Sequence, residues 1–154
     1  MDIVKMLAVI DALCSRAFPQ GHGGTDAGLG IPGHHLAGPG YFIVELGASA
    51  WPRAGDRSER QQTAEDLYAL ERAVAHQLNV RWGEQLPWGT VTLQERVVRG
   101  EDIPEPWATL GVLADELRSW KASGTGRWVV VAVADRETTD DVRLLAIVTD
   151  TDPP

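Results

Sequence analysis

His22, Asp26, His34 and His35 place three imidazoles and a carboxylate within residues 19–40, a donor set that divalent metal ions accept. The spacing matches no established metal motif, and adjacent His34 and His35 on a strand aim at opposite faces. Eight of the 16 glycines and three of the nine prolines fall in the same stretch, which excludes a regular element. Long structureless loops are uncommon in compact domains and are usually functional or disordered. Three readings of 19–40 follow: a mobile loop with incidental histidines, a loop contacting a partner or ligand, and a metal site. Its glycines do not form a phosphate cradle, because neither the Gly-x-x-x-x-Gly-Lys-Ser/Thr nor the Gly-x-Gly-x-x-Gly pattern is present.

A second group of carboxylates lies near the C-terminus. Asp135, Glu137, Asp140 and Asp141 crowd around Arg136. The glycine and terminal glutamate of a calcium loop are missing, so a solvated turn or an acidic patch facing a basic partner is expected. Six tryptophans are many for 154 residues. Trp107, Trp120 and Trp128 fall on apolar stripes and read as core. Trp51, Trp82 and Trp88 lie in or beside turns, where a ring either folds over the core edge or anchors a partner; Trp51 and Trp88 are the interface candidates.

Nucleophilic chemistry lacks its parts. Gly47-Ala-Ser49-Ala-Trp51 misses the second glycine of a nucleophile elbow. Cys14 is the one cysteine; it sits in a helical apolar pattern with no histidine nearby in sequence, and reads as a small buried hydrophobe. A lone cysteine also forbids an internal disulfide, which fits a reducing compartment. No cofactor motif is found.

The elements that position these groups follow from periodicity. Residues 127–149 hold two nearly all-apolar, β-branched runs around a polar turn, the pattern of a hairpin. The first run, 128–134, carries no charge and belongs in the middle of a sheet covered on both faces. Residues 2–18 carry Ile3, Met6, Leu7, Ile10, Leu13 and Cys14 at helical spacing, and Pro19 ends that helix. Residues 41–46 read as a short buried strand. Residues 58–78 read as a helix with Leu67, Leu70, Val74 and Leu78 inward; Glu65, Asp66, Glu71 and Arg72 face water. Ser58 and Thr63 are its cap candidates.

Residues 90–99 alternate, with Val91, Leu93 and Val97 against Thr90, Thr92, Gln94 and Arg96, and predict a half-wet strand interrupted by Glu95. Trp107, Leu110, Leu113, Ala114, Leu117 and Trp120 predict one helix from about 107 to 122. Residues 150–154 read as a frayed tail. The order α-β-α-β-α-β-β predicts a single α+β domain spanning 1–154, with about four strands in a mixed or antiparallel sheet. A three-layer α/β arrangement is the alternative.

The net charge of −8, with 22 acidic and 14 basic residues, offers no dense basic face for a phosphate backbone, so nucleic acid is not the expected partner. No run reaches the roughly 20 apolar residues of a membrane span, and Asp2 and Asp11 spoil a secretory signal, so a cytoplasmic protein is expected. Arginines outnumber lysines 12 to 2, the bias of GC-rich bacterial codon usage. Small size, acidity and missing catalytic motifs resemble the general profile of immunity-like or adaptor proteins. The expected function is therefore a protein-binding module without catalysis, facing a basic partner through Asp135, Glu137, Asp140, Asp141, Trp51 and Trp88. The alternatives are a metal- or ligand-binding enzyme using 19–40 and a homodimeric structural subunit.

Overall fold

The computed structural model describes residues 3–18, 35–48, 57–84, 88–122, 124–135 and 142–154. Its elements are α1 (Ile3–Ser15), β1 (His35–Gly38), β2 (Tyr41–Ala48), α2 (Arg57–Trp82), β3 (Trp88–Gly89), α3 (Val91–Val98), α4 (Trp107–Leu113), β4 (Glu116–Lys121), β5 (Trp128–Ala134) and β6 (Arg143–Thr149). The strands form one sheet in the order β1-β2-β6-β5-β4-β3, and every ladder is antiparallel. The protein is thus α+β, with six strands where about four were expected and no parallel pair among the described residues.

The hairpin of 127–149 is the centre of that sheet. β5 and β6 pair from Trp128 with Thr149 to Ala134 with Arg143, and β4 and β2 flank them. Because side chains alternate across a strand, an uncharged run supplies two cores at once. Val129, Val131, Val133, Leu144, Ala146 and Val148 face α1 and α2, whereas Val130, Ala132, Leu145 and Ile147 face α3 and α4. Helices therefore cover both faces, the layering of the three-layer alternative, built here on antiparallel strands. In the β1–β2 turn, Pro39 and Gly40 are the two linking residues; Gly40 has φ +82°, and a β-carbon there would run into the Asp150 carboxylate.

Two segments differ from their sequence reading. Residues 91–98 are helix α3, not a strand. The residues that alternate also satisfy the helical period: Leu93, Gln94, Val97 and Val98 fall at i, i+1, i+4 and i+5, one side of a helix. Glu95, which broke the strand pattern, lies off that stripe. The stretch 107–122 is not one helix. It stops at Leu113, Ala114 turns extended (φ −133°, ψ 149°), and β4 begins at Glu116. Leu117 and Trp120, three apart, then reach opposite faces of the sheet and serve different cores.

Helix α2 begins at Arg57, upstream of both cap candidates, and runs through Asn79 to Trp82. Glu71 does not face water. It lies in the stripe Leu67, Glu71, Val74, Ala75, Leu78 and is 3% exposed, held there by Arg118 on β4.

Candidate functional site: the groove between α3 and α4

The outer helical layer is tied to the sheet by a few specific bonds. Thr90, fully buried, donates its hydroxyl to the Ala114 carbonyl (2.8 Å) and its amide to the Asp115 carbonyl (3.0 Å). This joins the start of α3 to the end of α4. Gln94 reaches back to Thr90 Oγ1 (2.8 Å). Glu105 Oε2 accepts from the hydroxyl (2.7 Å) and amide (3.2 Å) of Thr109 in the first turn of α4. Trp107 is buried under the layer and donates its indole N–H to the Thr151 carbonyl (3.1 Å).

With both helices pinned, their outer sides leave an open groove of about 380 Å³ lined by Leu93, Gln94, Val97, Val98, Ala108, Gly111 and Val112. Leu93 and Gly111 form its buried floor. Val97, Val98 and Val112 form its walls and are 47%, 87% and 57% exposed; Val91, also exposed, continues the α3 side one turn up. An exposed valine is ordinary singly; here Val97, Val98 and Val112 gather around one groove, the kind of surface that marks a contact site.

On the opposite face, a polar cluster sits between α2 and the sheet. Arg118 Nε donates to Glu71 Oε1 at 2.9 Å, and the Tyr68 hydroxyl donates to Asp135 Oδ2 at 2.8 Å. Burial pushes the Glu71 carboxyl up, with Arg118 pulling the other way. Burial first, then the bond to Asp135, pushes the Tyr68 phenol well above the usual tyrosine range. These bonds tie α2 to β4 and to the end of β5.

The residues singled out from the sequence are distributed as follows. Asp135 directly follows β5 and is part of that half-buried cluster. Trp88 lies in β3, its ring 5.9 Å from that of Trp107 and its N–H donated to Ser119 Oγ (3.2 Å), so it folds over the edge of the core, partly buried. His35 begins β1, its backbone paired with Val44. Glu137, Asp140, Asp141, Trp51, His22, Asp26 and His34 lie outside the described residues. Among the described residues no group of three or more His, Cys, Asp or Glu is placed to hold a metal ion, and no helix is long and apolar enough to cross a membrane. Cys14 is buried in α1, and burial raises its thiol pKa, aided by nearby Asp11.

Sequence reasoning missed the groove because it read α3 as a strand. The signal was present: four groove residues at i, i+1, i+4 and i+5. It also missed Glu71, whose position in the apolar stripe of α2 marked it as inward.

No protein-family model, curated protein or solved structure matches the chain. Function is read from the geometry alone.

Proposed function

We propose that the protein is a small acidic binding module that acts without chemistry of its own, with the α3–α4 face as its docking surface. The observation that carries this reading is the set of exposed valines around an open apolar groove between two helices held by Thr90 and Glu105. Burying these valines removes apolar surface worth about 25 cal/mol per Å² from water, before the cost of association is counted. The net charge of −8 favours encounter with basic proteins, as expected for an immunity-like or adaptor role.

The test is comparative crosslinking of tagged wild-type and Val98→Asp/Val112→Asp chains in the cells of origin. Both positions are exposed, so the double variant retains its fold, which its melting curve verifies. Proteins joined to the wild type and lost from the variant support the reading. An identical set from both chains overturns it.

A further inference from the structure

We infer that the occupant of this groove is a basic amphipathic helix of a partner protein. The inference rests on the docking face proposed above and adds the shape and charge of what it takes. Shape comes first. α3 and α4 span eight and seven residues, about 12 and 10 Å, or roughly two turns each. The groove of about 380 Å³ is too small to swallow a helix of 10–12 Å diameter but large enough for its side chains. A partner helix lying along the rim would insert apolar anchors spaced i, i+4 and i+7.

Charge then selects the partner. Residues 91–113 contain four acidic residues (Glu95, Glu101, Asp102 and Glu105) and two basic ones, Arg96 and Arg99. This layer thus carries −2 within a chain of net −8. Both arginines are already held by Glu101 Oε2, at 3.5 and 3.2 Å. Glu95 lies one turn from Val91 and from Val98, at the edge of the exposed strip. Glu105 stands against Thr109, one turn before Val112 on α4. A carboxylate therefore lies beside the valines of α3, and another precedes the first turn of α4. A second copy of this chain would bring the same sign against it, and like charges across an interface are costly. A helix with lysines or arginines beside its apolar stripe satisfies both the valines and the acidic rim.

Three synthetic helical peptides of about 18 residues test this. One carries a leucine stripe flanked by lysines, the second the same stripe flanked by glutamates, and the third serines in place of the leucines with the lysines kept. Binding to the full chain is measured at physiological salt. The leucine–lysine peptide should bind at least about tenfold tighter than either control, a gap of roughly 1.4 kcal/mol. It should lose about tenfold against Val98→Asp/Val112→Asp, and its salt dependence should weaken against Glu95→Lys. Equal binding of the leucine–glutamate peptide overturns the basic partner while leaving the apolar docking face standing. Equal binding of the serine–lysine peptide, unchanged binding to the double variant, or no binding of the leucine–lysine peptide overturns the groove as a helix site.

Discussion

Gly111 on α4 lies so close to α3 that a β-carbon added to it would stand 3.4 Å from the Leu93 Cβ. The floor of the groove is set by this approach. Gly111→Ala gains up to about 1 kcal/mol of helix propensity and meets Leu93 at the limit of ordinary contact. It is expected to leave stability within about 1 kcal/mol of wild type. Gly111→Val has no room for its methyls and should cost about 1–3 kcal/mol by overpacking. Urea denaturation of both variants checks the pair of outcomes.

The Glu71–Arg118 pair predicts a pH dependence with a definite sign. The folded protein holds the Glu71 proton more tightly than the unfolded chain, whose ordinary value is 4.5. Stability from this group is fully present below 4.5 and is lost as pH rises through the raised folded value. Glu71→Gln removes that loss, so the difference in stability between variant and wild type should grow in the variant's favour across that window. Arg118→Ala strands a buried carboxylate and should cost about 3–5 kcal/mol at neutral pH, less in acid. Denaturant midpoints across the pH range measure both.

Tyr68 and Tyr41 are both expected to resist ionisation. Burial leads in each; the bond to Asp135 adds to it at Tyr68, and the charge of Glu105 at Tyr41. The unfolded phenols titrate near 10, so their contribution to stability is complete below that pH and is lost as pH rises through the folded values. An absorbance titration should show phenolate appearing at higher pH in the native protein than in denaturant, where both tyrosines titrate near 10. Tyr68→Phe removes the donor to Asp135 and should cost about 1–2 kcal/mol.

Arg127 closes the end of α1. Its Nη1 donates to the carbonyls of Leu13 (2.7 Å) and Arg16 (2.6 Å), and its guanidinium lies 4.1 Å from the Phe18 ring centroid. Cation, last carbonyls and helix dipole agree in sign. Arg127→Ala should cost up to about 2 kcal/mol, and Arg127→Lys should recover only part of it because the fork and the stacking plane are gone. Amide exchange at the last turn of α1 should quicken first.

The centre of the fold was legible in the sequence. Uncharged β-branched runs at 128–134 and 144–148 can only be the inner strands of a covered sheet, and the stripes of α1 and α2 read directly. The outer layer was not legible, for two physical reasons. Eight residues such as 91–98 fit both periods, and tertiary contact with α4 decides between them. Leu117 and Trp120 keep helical spacing across the Ala114 break because each side of the sheet needs one apolar residue from β4. The candidate site inherits both difficulties: its walls are assembled from the two segments whose element type or extent the pattern misassigned.

The most direct measurement follows the valine methyl groups of the full chain by NMR while the leucine–lysine peptide is added. The protein carries its own controls, since Val4 and Val80 on α1 and α2 are as exposed as the groove valines, at 73% and 74%. Shifts at Val97, Val98 and Val112 with Val4 and Val80 unmoved are the predicted result. Movement of Val4 and Val80 to the same extent, or none at the three groove valines, contradicts the α3–α4 docking face.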